Sequence, residues 1–154
     1  MRQIQDYIGF QVLQIHKAHR QLAEEGLNKL GVHTGQEMIL LQLWIEEGIP
    51  QSQLAACMEV EPPTATKMLQ RMERAGLIER RPDPEDARVS LVYLTERGRA
   101  LEQPVLEVWK QLEAQTVAGL SATEQALLRR LLMQVSANLS CMVVGLVAPF
   151  SRSI

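Results

Sequence analysis

The chain has 154 residues, 46% of them hydrophobic and only 4% aromatic, which is the size of one domain with ample core material and, in its Leu/Ala/Gln/Glu/Arg-rich composition, a mostly helical one. Two cysteines exclude a disulfide scaffold, and the longest apolar stretch, 141–150, is too short to span a bilayer; with no signal segment at the N-terminus, a cytoplasmic protein without membrane contact is expected. The net charge of -2 argues weakly against nucleic acid, but it is unevenly spread: residues 1–61 carry four Lys/Arg against eight Asp/Glu, whereas residues 62–99 carry eight against six.

From Ile4 to about Leu30, Ile4, Ile8, Val12, Ile15, His19 and Leu22 recur every three or four residues, one face of a long helix. Gly31 is its stop. Thr34 then caps a second helix through Glu37, Met38, Leu41, Trp44 and Ile45 to Gly48. A new unit opens at Ile49-Pro50. Gln51 to Met58 reads as a short helix that buries Leu54, Ala55 and Met58, with Cys57 expected there as a small buried hydrophobe. The turn Glu59-Val60-Glu61 leads to Pro62-Pro63, where a proline in the first helical position gives up only an N–H that has no partner there. Two short helices joined by a tight turn make a helix-turn-helix candidate.

In the second of these helices Ala65, Met68, Leu69 and Met72 form one apolar stripe. The opposite face centres on Pro63, Lys67, Gln70 and Arg74, flanked by Thr66 and Arg71, and carries hydroxyl, amide and cationic groups without a carboxylate. Such a face suits base edges and phosphates. After the stop at Ala75-Gly76, Leu77 to Arg81 and Val89 to Leu94 read as two strands around a seven-residue loop, Pro82 to Arg88. Arg80 and Arg81 alternate faces, so one of them is expected to face a ligand, and Arg81 is assigned that place. Thr95 caps a further helix through Val105, Val108, Trp109, Leu112 and Val117, bent at Pro104. Ser121 and Glu124 form a capping box ahead of a last helix bearing Leu128, Leu131, Val135, Leu139 and Met142, and residues 143–154 are expected to be a short, partly ordered tail.

The stretch from Val60 to Leu101, VEPPTATKMLQRMERAGLIERRPDPEDARVSLVYLTERGRAL, resembles the signature of the MarR family of bacterial winged helix-turn-helix regulators. The pattern is helix, Gly-Leu-Ile, Arg-Arg-x-Asp-Pro-x-Asp-x-Arg, strand, Leu-Thr-Glu-Arg-Gly. The resemblance implies a mostly α fold with a small antiparallel β wing, dimerisation helices in 1–33 and 95–142, and a DNA-binding lobe in 34–94. It further implies a homodimer on a pseudo-palindromic site in double-stranded DNA, usually as a repressor. By position, Pro63, Thr64, Thr66 and Lys67 would approach bases, Gln70, Arg71 and Arg74 the flanking phosphates, and Arg88 the minor groove with Asp86 bracing it. Asp86 as a simple turn-former fits the same position. Ala87 stands where the family often has a second basic residue, and Pro50 where a Thr or Ser often caps.

The resemblance also implies a phenolic or aromatic-acid effector between the dimerisation helices and the winged lobe, for which His16, His19, Arg20, Met38, Trp44 and Trp109 are candidates by rough position. His16 and His19 lack a carboxylate or Cys at matching spacing, so no metal is expected. No cofactor is implied, and no Gly-rich phosphate loop or nucleophile-base pair points to an enzyme. The alternatives are a protein-docking winged module and a constitutive or redox-controlled repressor. Peroxide sensing through a Cys early in the first helix does not carry over, because no Cys precedes position 57.

Overall fold

The computed structural model describes residues 3–58 and 60–142. A 3-10 turn at Ile4–Asp6 leads into α1 (Ile8–Asn28), then α2 (Gln36–Ile45), β1 (Ile49–Pro50), α3 (Gln51–Cys57), α4 (Pro62–Arg74), β2 (Ile78–Pro82), β3 (Ser90–Leu94), α5 (Glu96–Ala100), α6 (Glu102–Thr116) and α7 (Ala122–Met142). The strands form one antiparallel sheet in the order β1-β3-β2, with Ile49 opposite Val92 and Ile78 opposite Leu94. The fold class is the expected one, a mostly helical chain with a small antiparallel wing. Among the described residues no helix is long and apolar enough to cross a membrane. The tail read at 143–154 lies outside the described residues.

The first compact unit ends at Thr116. Its core gathers Leu27 of α1, Ile39, Leu40 and Leu43 of α2, Leu54 of α3, Leu69 and Met72 of α4, Ile78, Val92 and Leu94 of the sheet, and Val105 of α6. The α4 stripe behaves as its spacing predicts: Ala65, Leu69 and Met72 are fully buried, and Met68 packs at the edge. Leu69 and Met72 each contribute roughly 1.5–3 kcal/mol by leaving water, which seats α4 and turns its other face outward.

Two glycines set the junction between α4, the wing and α5. Gly76 takes a left-handed φ of 67°, its N–H bonds the Glu73 carbonyl at 2.9 Å, and the next N–H, of buried Leu77, reaches back to Met72 at 3.0 Å. This pair of bonds is a Schellman stop that hands α4 directly to β2. Gly98 is required by proximity: a Cβ there would sit 2.1 Å from the Leu77 carbonyl oxygen. Around it, Thr95 Oγ1 caps α5 by accepting from the Gly98 N–H at 3.1 Å, and the Gly98 carbonyl accepts from Trp44 Nε1 at 3.1 Å.

Four details depart from the sequence reading. Thr34 is not the cap of α2, because Gly35 intervenes with a left-handed φ of 94° and makes no side-chain cap; the buried Thr34 hydroxyl has no hydrogen-bond partner. The helix expected from Thr95 to Val117 is two helices parted at Leu101, since Pro104 has no N–H to offer the carbonyl of Ala100, where α5 ends. Cys57 is exposed rather than buried, as it lies at the end of α3, on the far side of Leu54 from Ala55. The two-residue β1 was not foreseen; it closes the sheet edge by pairing Pro50 with Leu91.

The apolar stripe expected on α1 is present but unburied within the chain: Ile4, Ile8, Ile15 and Leu22 are all exposed, Ile8 at 76%. Only Ala23 and Leu27 of α1 are buried. Residues 117–142 belong to a second unit. Within it Ser121 and Glu124 make the expected capping box, the Glu124 carboxylate accepting from the Ser121 N–H at 2.8 Å and hydroxyl at 2.7 Å. Leu128, Leu131 and Leu139 of α7 are exposed as well.

Candidate nucleic-acid interface

α4 opens with Pro62 and Pro63 in its first turn and carries no side-chain cap from Glu61. Its outward face presents Pro63, Thr64, Lys67, Arg71 and Arg74 to solvent, with Thr66 and Gln70 half-buried at the margins. Among the described residues, Lys67, Arg71 and Arg74 have no ion-pair partner. The one carboxylate of α4, Glu73, is taken up by Arg80, whose Nη2 lies 2.6 Å away. That hydrogen bond holds the Glu73 carboxyl below the usual carboxylate range. The helix therefore offers three free cations and no competing anion.

The wing carries the second cationic element. The Asp86 carboxylate accepts from the Arg88 backbone N–H at 3.0 Å, from its Nε at 3.0 Å and from its Nη2 at 3.2 Å. The Arg88 side chain is nonetheless 91% exposed, so its remaining donors point into solvent. Its guanidinium keeps the Asp86 carboxyl below the ordinary range. The brace and the turn-former are thus one arrangement, because the same carboxylate oxygen takes both the backbone and the side-chain N–H. The loop is also closed by Asp83 N–H to the Val89 carbonyl at 2.9 Å, and Ala87 stands exposed beside Arg88. A cleft lined by Ser52, Ala55, Pro62 and Arg88 separates the start of α4 from the wing.

Other assigned residues are placed differently. Arg81 pairs with Glu79, and its guanidinium lies 4.9 Å from the centre of the Tyr93 ring; alternation along β2 puts it on the sheet face opposite Arg80 and α4. Thr66 spends its hydroxyl proton on the Pro62 carbonyl at 2.9 Å and accepts from Gln51 Nε2 at 2.8 Å. Of the effector candidates, His19 and Trp109 come together, ring centres 5.9 Å apart, and line an apolar cleft with Leu106, Lys110, Glu113 and Ala114. Trp109 Nε1 is buried and has no partner among the described residues. Trp44 is a latch on Gly98; His16, Arg20 and Met38 do not line that cleft. Strand alternation marks Arg80 as the alternative to Arg81, whereas nothing in local spacing marks Gln51, Glu73 or the cleft residues Leu106, Lys110 and Glu113.

A family model described as MarR family matches residues 34–90. The multiple antibiotic resistance protein MarR of Escherichia coli (strain K12) is 30% identical over 129 residues, spanning 83% of this chain and 90% of that protein. The chain belongs to the MarR family. It is also similar to the organic hydroperoxide resistance transcriptional regulator of Bacillus subtilis (strain 168), 35% identical over 95 residues, a match that spans 62% of this chain and 61% of that regulator. A crystal structure of a MarR cysteine-to-serine variant from E. coli, complexed with operator DNA, superimposes with a TM-score of 0.76 at 29% identity, covering 88% of this chain and 99% of that one. As a MarR-family protein, this chain is a DNA-binding transcription regulator, and the family is one of regulators rather than enzymes.

Proposed function

We propose that this MarR-family regulator is a homodimeric repressor that reads a pseudo-palindromic operator with α4 and the wing of each subunit. The observation that carries the reading is the unpaired cationic face of α4, Lys67, Arg71 and Arg74, together with an Arg88 oriented by Asp86. Lys67, Thr64 and Pro63 are assigned to base edges in the major groove, Gln70, Arg71 and Arg74 to phosphates, and Arg88 to the minor groove, where a narrow A·T-rich groove attracts a guanidinium. The operator complex of the E. coli relative and the repressor name of a Pseudomonas putida relative, 29% identical over 138 residues, support it. Pairing is assigned to residues 1–33 and 95–142 and reading to 34–94, because Ile4 of the 3-10 turn, Ile8 and Ile15 of α1 and Leu131 and Leu139 of α7 are exposed apolar side chains. Two reading lobes then meet half-sites about 10 bp apart or a multiple of it.

A small aromatic or phenolic acid is the proposed releasing effector, seated against His19 and Trp109. The deciding experiment is a mobility shift on DNA from the promoter nearest the protein's own gene. Lys67→Ala and Arg88→Ala each weaken binding, and Arg71→Ala lowers the slope of log K against log salt by about 0.9, one phosphate contact. Unchanged affinity in all three would refute the surface. A redox-controlled repressor is the second reading, favoured by the exposed thiol of Cys57. Peroxide that abolishes binding in the wild type but not in Cys57→Ser would decide for it.

A further inference from the structure

Thr66 and Arg80 are, by residue type and place in the chain, a natural base reader and a natural phosphate clamp. Their hydrogen bonds are spent elsewhere. The Thr66 hydroxyl has one proton, given to the Pro62 carbonyl at 2.9 Å, and it accepts from Gln51 Nε2 at 2.8 Å. Gln51 is the first residue of α3, and its carbonyl Oε1 accepts from Arg80 Nη1 at 3.4 Å. Arg80, in the middle of β2, gives Nε at 3.1 Å and Nη2 at 2.6 Å to Glu73 Oε2, in the last turn of α4. These contacts form a single series. It leaves α4 at its first turn, crosses α3 and the root of the wing, and returns to α4 at its last turn. Both charges are partly withdrawn from solvent, the Arg80 side chain 25% exposed and that of Glu73 36%, and α4 has no side-chain cap of its own at Glu61.

We propose that Gln51, Thr66, Arg80 and Glu73 are positioning residues that fix the angle of α4 against α3 and the wing, and that neither Thr66 nor Arg80 contacts DNA. The buried stripe, Ala65, Leu69 and Met72, holds α4 in the core by non-directional apolar contact, which resists withdrawal of the helix more than a small roll about its own axis. The series restrains that roll from both ends. Rolling misplaces Lys67 and Thr64 against base edges while leaving Arg71, Arg74 and Arg88 within reach of phosphates and groove. The relay therefore governs discrimination between sequences, not the number of phosphate contacts.

The inference rests on α4 being the reading helix, and the experiment separates the two. Affinities of the full-length protein for its operator and for a scrambled duplex are measured at several salt concentrations. Gln51→Ala and Arg80→Met lower operator affinity by about tenfold, the scale of one lost base contact, keep scrambled-duplex affinity within about twofold, and leave the salt slope unchanged. The double variant is about as weak as either single one, because both cut the same series. Thr66→Val, which keeps the side-chain shape, lowers operator affinity and blunts discrimination at each of the base pairs read by Lys67 and Thr64 rather than at one of them. A loss of stability alone would not shift the ratio of operator to scrambled binding in folded protein.

Unchanged binding in Lys67→Ala and Arg71→Ala would remove α4 as the reading helix. With those two weakened, three results overturn the relay: wild-type operator affinity in Gln51→Ala and Arg80→Met, a salt slope reduced by one phosphate in Arg80→Met, or a Thr66→Val defect confined to one base pair.

Discussion

Gly98→Ala is the substitution whose cost the structure fixes most closely. The added Cβ would lie 2.1 Å from the Leu77 oxygen and 3.1 Å from both the Leu77 carbonyl carbon and Leu94 Cδ2. The nearest obstacle is backbone, which has no rotamer by which to escape, so α5 must move away by about 1 Å to reach ordinary contact. That movement strains the Thr95 N–H bond to Leu77 (3.1 Å), the Thr95 cap of α5 (3.1 Å) and the Trp44 bond to the Gly98 carbonyl (3.1 Å). Losing two such bonds, at roughly 0.5–1.5 kcal/mol each, and leaving a buried group unpaired, at about 1–3 kcal/mol, gives a destabilisation of roughly 2–6 kcal/mol. For a chain of this length that is a fall in Tm of about 4–24 °C. Thermal unfolding followed by circular dichroism, at one fixed protein concentration, measures it. A Tm within 2 °C of wild type would refute the steric argument. Trp44→Phe removes one of the three bonds without the clash and should cost about 1 kcal/mol.

Three further outcomes are expected. Burial raises the Glu37 carboxyl above its ordinary range, against the pull of the backbone N–H groups of Glu37 and Gly35 and the charge of Arg20. The folded chain then holds that proton more tightly than the unfolded chain, so the cost of ionising it is absent below about pH 4.3 and grows as the pH rises through the folded value. Glu37→Gln should accordingly raise Tm at pH 7.5 and leave it unchanged at pH 4; an equal rise at both would refute the assignment. Ile8→Asp, at a position 76% exposed, should leave helix content intact while the mass by light scattering falls to that of one chain, and a retained dimer would move the pairing surface away from α1. The chain has two tryptophans, so an aromatic acid that quenches fluorescence should keep its effect in Trp44→Phe and lose it in Trp109→Phe; quenching that survives the second change would exclude the cleft beside His19.

Local rules made α4 and the wing legible. The spacing of Ala65, Leu69 and Met72, the Pro62 start and the Gly76 stop each act within a turn of helix, and all are visible to a reader of the sequence. The hairpin was placed to within a residue because Pro82, Asp83, Pro84 and Asp86 mark the loop. Contacts distant in sequence were not legible. Arg80 meets Glu73 across a strand and a helix, and Gln51 meets Thr66 across the turn of the motif, so a threonine assigned to bases turned out to have its hydroxyl engaged inside the protein. Gly35 displaced Thr34 from its cap through a left-handed φ that residue type alone does not announce. On α1 the periodicity identified an apolar face, but periodicity does not say what covers a face, and Ile8 and Ile15 remain open to solvent within the chain.

The three hydrogen bonds between Asp86 and Arg88 also bear on timing. An arginine on a loop tip ordinarily samples many rotamers, and a partner that selects one of them must first wait for it. Here that search is narrowed before any partner arrives: a carboxylate two residues away favours one guanidinium orientation, and five N–H groups are reduced to the few that still face outward. Part of the cost of ordering the side chain then falls on folding rather than on encounter. On the proposed reading, with Arg88 in the minor groove, a wing biased in this way has less freedom to adapt, and the width of the groove has to suit it.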